Sequence, residues 1–217
     1  MNQLGFIYQI LGEWDKSEQY HKEAFNISQR LDDFQSIASA FGYFGLFYFD
    51  RGEYAKAREF FEKMYDVCER HGAKASKMFV SQDVVLAYIE LGEIEKAKNL
   101  IDNLHRYALE AENKNLIATA NGLRAMLFRA QKKWEESIEQ FEKSLQEFEA
   151  LGARRWDIYW FAKMVLCEYA RVYLERDQES DREKAHNLLN QALEIFQKLG
   201  AKKEVERIIA KKKILSA

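Results

Sequence analysis

The stretch LGEWDKSEQY (11–20) returns as RGEYAKAREF at 51–60 and as LGEIEKAKNL at 91–100, and a fainter copy, QKKWEESIEQ, fills 131–140. A phrase that recurs every forty residues restricts the fold more than any other feature, because self-similarity at a fixed period is the mark of like units stacked in an array. Gly12, Gly52 and Gly92 mark the step, with Lys132 in the fourth slot. Five residues further on comes a small side chain each time: Ser17, Ala57, Ala97 and Ser137. Fifteen beyond those stand Asp32, Gly72, Glu112 and Gly152, each in a polar or glycine-containing break. Punctuation therefore falls every twenty residues, which leaves room for one helix of about four to five turns and a short connection.

Two such segments make an antiparallel helix hairpin, and hairpins that stack make a solenoid. The chain has no proline and 10 glycines in 217 residues, too few turn formers for the closely spaced turns of an all-β fold. HGAK (71–74), LGAR (151–154) and LGAK (199–202) read as helix C-termini closed by a glycine in the left-handed conformation. The spacing slips after Gly152: Gly152 to Ala185 is 33 residues where Gly72 to Ala97 is 25. Five of the added residues precede YARVY (169–173) and three lie in ERDQESDREK (175–184). The fifth unit is therefore predicted to have a longer first helix and a looser turn.

These units resemble the tetratricopeptide repeat, whose two antiparallel helices carry the pattern W-x2-L-G-x2-Y … A-x3-F … P. The first helices read Leu4-Gly5-x2-Tyr8, Phe44-Gly45-x2-Tyr48, Val84-Val85-x2-Tyr88, Arg124-Ala125-x2-Phe128 and Tyr169-Ala170-x2-Tyr173. The second helices read Ser17-x3-His21, Ala57-x3-Phe61, Ala97-x3-Ile101, Ser137-x3-Phe141 and Ala185-x3-Leu189. The final proline is missing throughout, Arg124 stands where an apolar residue is usual, and the period is forty residues instead of thirty-four. The long period is similar to that of arrays in large bacterial and archaeal regulators and signalling scaffolds.

The resemblance implies an all-α, right-handed superhelical solenoid of about five hairpins. They would span 1–32, 33–72, 73–112, 113–152 and 153–200 in a single array, with a capping helix at 202–215 carrying Val205, Ile208, Ile209 and Ile214. Because Leu4 comes three residues after Met1, the family's first helix would start upstream. The sequence is expected to be the C-terminal part of a longer array or multidomain protein.

The resemblance also implies a concave surface built from the first helices. The positions expected on it are Phe6, Gln9, Leu46, Phe49, Gln82, Leu86, Ile89, Met126, Arg129, Arg171 and Leu174. Their apolar bias suits a groove for a helix or an extended apolar peptide, and burial inside a tightly wound superhelix is the alternative. The basic clamp with which some members hold a chaperone's acidic terminus is not matched, since Asn2, Phe6, Gly42, Leu46, Gln82 and Leu86 occupy those places. Arg155, Trp156 and Trp160, in the aromatic stretch 154–174, suit either a second binding anchor or core packing.

Composition narrows the function classes. The 33 basic and 35 acidic residues are mixed along the chain and leave a net charge of −2, not the field expected of a nucleic-acid binder. The basic tail AKKEVERIIAKKKILSA reads as a solvated terminal helix. The longest apolar run, VVLAYI (84–89), is too short to span a bilayer. Cys68 and Cys167 are far apart, and His21, His71, His105 and His186 show no ligand spacing. No P-loop, GxSxG or GxGxxG occurs. The expectation is a cytoplasmic, non-catalytic scaffold without cofactor or metal, binding a protein or peptide and not nucleic acid or membrane, with self-association open. The alternative is an effector-sensing arm of a larger transcriptional or signalling regulator.

Overall fold

The computed structural model describes residues 1–151 and 155–215, with the side chains of 155–157, 214 and 215 left out. Helices account for nearly all of it, and no strand occurs among the described residues. They run α1 (Asn2–Leu11), α2 (Trp14–Leu31), α3 (Phe34–Asp50), α4 (Tyr54–Arg70), α5 (Lys74–Glu90), α6 (Ile94–Glu110), α7 (Lys114–Ala130) and α8 (Trp134–Leu151). The last portion comprises α9 (Arg155–Phe161), a π-helical turn (Ala162–Leu166), α10 (Cys167–Arg176), α11 (Asp181–Leu199) and α12 (Lys202–Leu215). Contacts divide the chain into two compact units, Met1–Tyr107 and Ala108–Ala217.

The twenty-residue punctuation is a series of left-handed caps. Gly12, Gly52 and Gly92 have φ of 82°, 77° and 73°, and Lys132, in the fourth slot, adopts 59° all the same. At each, the next residue's N–H reaches back five positions: Glu13 to Tyr8, Glu53 to Tyr48, Glu93 to Tyr88 and Lys133 to Phe128. This is the Schellman closure, which satisfies carbonyls that the helix end leaves free. The second breaks close alike, with Ala73 N–H on Cys68, Asn113 on Ala108 and Ala201 on Phe196. Gly72 and Gly200 are left-handed as expected, and Asp32 and Glu112 adopt the same conformation without glycine; Gly152 lies outside the described residues. A backbone hydrogen bond holds these caps, so a non-glycine residue can occupy the position at a cost of about 1 kcal/mol.

Within the first unit, α1 packs on α2, α2 on α3, α3 on α4 and α4 on α5. Small residues set the close approaches. Ala57 and Ala97 are fully buried, and Phe61 lies over Gly45, where an added Cβ would sit 2.2 Å from the ring. Phe61, Met64, Val67 and Cys68 of α4 form one cluster with Ala38 of α3 and with Val84 and Ala87 of α5. Tyr8 stacks on Tyr20 and Tyr48 on Phe60, at 5.3 and 5.4 Å, the same contact one repeat apart. The recurring glutamate also acquires a role. Glu53 accepts from Arg51 and Lys56, and Glu93 accepts from Lys96 and, at 2.6 Å, from Arg58 of the preceding pair.

In the second unit α7 packs on α8, and fully buried serines stand at two close approaches. Ser137 and Ser144 donate to the carbonyls of Ala125 and Ala118, at 2.8 and 2.9 Å. Hydroxyls buried there persist because each has a carbonyl to satisfy it. The inserted residues of the fifth pair appear as helices of 7 and 10 residues joined through the π-turn, where the earlier full first helices have 17. The looser turn is pinned by Asp181, whose carboxylate accepts two bonds from Arg176 and one from the Gln178 N–H. The Arg176 bonds hold its carboxyl below the usual aspartate range despite burial. Helix α12 closes on α11 with Ala201, Glu204 and Ile208 buried.

Candidate functional site

Most positions predicted to line a groove point instead into packing. Phe6 is 2% exposed and tilts against Tyr43 at 6.0 Å. Leu86, Ile89 and Met126 are likewise buried. The expectation of an open apolar lining therefore needs correction at these residues. Neighbouring first helices approach closely enough to consume the apolar side chains between them, at a gain of about 1.5–3 kcal/mol for each large one.

Two of the four polar positions of the set, Gln9 and Arg129, are buried as well, and each ties one first helix to the next in its own unit. Gln9 of α1 donates to the Leu46 carbonyl at 3.3 Å and to the Asp50 carboxylate at 2.7 Å. Arg129 of α7, at the same repeat position 120 residues on, donates to both oxygens of Glu175 on α10 at 2.9 and 3.1 Å. Glu168 lies 3.7 Å from Arg129, and the half-exposed Arg171 also reaches Glu175, at 2.7 Å. A buried guanidinium shared between carboxylates is structural in kind, since removing one partner would strand a charge.

What stays accessible on the first-helix face of the first unit is a smaller set. Leu46 and Phe49 of α3 and Gln82 of α5 are half-buried, with Phe49 edge-on to Tyr54 at 5.2 Å. One residue in this register was missed from the sequence: Phe79, three positions before Gln82, is 58% exposed. Its repeat equivalents are Ser39 and Thr119, so its being the one large apolar residue there was the available signal. In the second unit Trp160 is half-buried, edge-on to Tyr159 at 5.5 Å, with the Lys163 ammonium over its ring. The side chains of Arg155 and Trp156 lie outside the described residues.

Nothing in this set is arranged for bond-making chemistry. Both cysteines are free; burial raises the Cys68 thiol and pushes Cys167 up to about 12, so neither supplies a thiolate near neutrality. No group of three or more His, Cys, Asp or Glu that could hold a metal ion occurs among the described residues. No described helix is long and apolar enough to cross a membrane.

Comparison with known proteins bears on the fold. Residues 1–70 match the profile of the tetratricopeptide repeat family. No curated protein matches the sequence. Among solved structures, the chain is similar to BtubC (BKLC) from P. vanneervenii, with TM-score 0.62 and 17% identity over 91% of this chain and 78% of that one. It is also similar to the nearly identical TPR-like repeats of a putative kinesin light chain from Podosopora anserina, with TM-score 0.55 and 18% identity over 91% and 94%. At such identities the likeness speaks for the fold alone. Residues 1–70 thus match the tetratricopeptide repeat, and over nine-tenths of its length the chain shares the fold of these helical-repeat structures.

Proposed function

We propose that the chain is a protein- or peptide-binding scaffold without catalysis, and that in its first unit the binding face is the first-helix surface around Phe79, Gln82, Leu46 and Phe49. The observation that carries this reading is Phe79, a large ring 58% exposed on the face from which these repeats bury nearly every other apolar side chain. An exposed aromatic on the same first-helix face as half-buried apolar residues and one amide has the usual composition of a binding anchor. The occupant is an apolar side chain of an extended or helical peptide, with Gln82 free to bond a backbone group. In the second unit Met126 and Arg129 hold the scaffold, and Arg171 and Trp160 are the residues left for contact.

A cytoplasmic setting accords with two unpaired cysteines, and the near-neutral charge gives nucleic acid no general attraction. A second reading, effector sensing within a larger transcriptional or signalling regulator, draws on the π-turn at Ala162–Leu166, because such turns often mark functional sites in helices.

Affinity capture from the source lysate, with Phe79→Asp and Leu46→Asp beside the wild type, tests the scaffold reading. The bound set should be lost in both variants while circular dichroism stays that of the wild type. A bound set unchanged by both would overturn the assignment of this face.

A further inference from the structure

Polar atoms are buried in the first helix pair without the partners that the same register finds elsewhere. Ser17 Oγ, both ring nitrogens of His21 and Gln9 Oε1 have no hydrogen-bond partner. In the fourth repeat the Ser137 hydroxyl reaches the Ala125 carbonyl, and Phe141 stands in the place of His21. Each buried polar atom left unpaired costs about 1–3 kcal/mol, so α1 and α2 make a unit that opens at low free energy. That unit bears on α3 at several points. Phe6 tilts against Tyr43, and Trp14 lies edge-on to Phe47 at 5.7 Å. Gln9 bonds the Leu46 carbonyl and the Asp50 carboxylate. The Gln9 bonds hold the end of α3 that carries Leu46 and Phe49, two residues of the candidate binding face.

His21 makes this contact sensitive to acid. Its ring lies against the Gly5 backbone of α1 and among Tyr43, Phe44 and Phe47 of α3, at centroid distances of 5.6, 5.9 and 6.2 Å. Ser17 stands one turn earlier on α2. Of these neighbours only the Tyr43 phenol titrates, and burial raises it, so it stays neutral through the acid range. A proton added to the imidazole meets no counter-charge among them, and the cation regains water only when α1 and α2 part from α3. We propose that the first helix pair is an acid-released clasp on the binding face: protonation of His21 frees α1 and α2 from α3, Gln9 lets go of Leu46 and Asp50, and the face loses its hold on an apolar peptide. The proposal rests on the reading that places binding at Phe79, Gln82, Leu46 and Phe49.

Hydrogen exchange on the whole chain tests the release, and a peptide tests its coupling to the face. Between pH 7.5 and 5, opening of α1 and α2, corrected for intrinsic exchange, should become roughly thirty-fold more frequent, as follows for a histidine that titrates near 6.5 when free and at about 4 when enclosed. His21→Phe installs the residue that Phe61 and Phe141 place at this position; it should fold as the wild type does and remove that dependence. The probe for the face is a peptide without His, Asp or Glu, selected at pH 7.5 from a random phage-displayed library on the wild type and counter-selected on Phe79→Asp. At about a hundred times its Kd the peptide should slow the opening of α1 and α2 roughly hundred-fold at pH 5, the linkage expected when only the closed form binds. Opening that does not respond to pH, or responds equally in His21→Phe, overturns the proposal. A peptide that binds but leaves exchange in α1 and α2 unchanged overturns it too, while the Phe79 face stands. A library that yields no peptide dependent on Phe79 overturns the reading of the face and the coupling with it.

Discussion

The first helix pair and the second are the same structure written in different side chains. Both place a glycine of the first helix against a ring of the second: Gly5 under His21 and Gly45 under Phe61, where an added Cβ would stand 2.5 and 2.2 Å from the ring. Both end the first helix in a left-handed glycine. The second pair is finished with hydrocarbon, and its Phe61 touches Gly45, Phe49 and the Met64 cluster. The first has an imidazole, fully buried, neither of whose ring nitrogens has a hydrogen-bond partner. Equal backbones therefore do not mean equal stability. In a repeat protein each pair contributes its own term and those of its neighbour contacts, so the difference should be local to α1 and α2.

The largest expected effect that tests this difference comes from acid. Burial, among the Tyr43, Phe44 and Phe47 rings, lowers the His21 pKa from its ordinary 6.5 to about 4. The unfolded chain binds the proton near 6.5 and the folded one only near 4, so stability is full above the upper value and is lost as pH falls towards the lower one. The loss amounts to roughly 3 kcal/mol. Hydrogen exchange at pH 7.5 and 5 should show α1 and α2 losing protection while α3 and α4 change little. His21→Phe should abolish that difference, and a variant that keeps it would break the comparison.

Gly45→Ala comes next. The new methyl meets Phe61, a ring enclosed on all sides and unable to swing away. Denaturant unfolding should show a loss of about 2 kcal/mol, within the range for overpacking. Gly5→Ala meets His21 in the same way and should cost a similar amount, confined to the first pair. The smallest effect is expected at the caps that follow the two second helices. Asp32, with φ 50°, stands where Gly72, with φ 62°, follows α4. Asp32→Gly should stabilise by about 0.5–1 kcal/mol and Gly72→Ala should destabilise by about as much, a few degrees in Tm for each.

Much of the site resisted a reading from the sequence, and the residues show why. Phe6, Leu86 and Met126 were expected at a surface because their repeat positions belong to the first-helix face. Whether that face is lining or core depends on how closely successive first helices approach, which spacing along the chain does not encode. Gln9 and Arg129 look like polar groups awaiting a ligand until Asp50 and Glu175 appear beside them, 41 and 46 residues away. Phe79 could be found as an odd aromatic among Ser39 and Thr119, but not as an exposed one. The five residues inserted before YARVY announced a longer helix without revealing the π-turn within it.

The sequence by itself determined the helices, their order, their caps and their points of closest approach. Those properties are local or strictly periodic: a left-handed position every twenty residues, and a small residue five after each glycine slot. Ser17, Ala57, Ala97, Ser137 and Ala185 are all fully buried, as their size required. Only the tertiary structure decided which side chains remained for a partner. A residue's exposure is set by what the neighbouring helices place over it, as His21, Phe25 and Trp14 of α2 enclose Phe44 and Phe47 of α3.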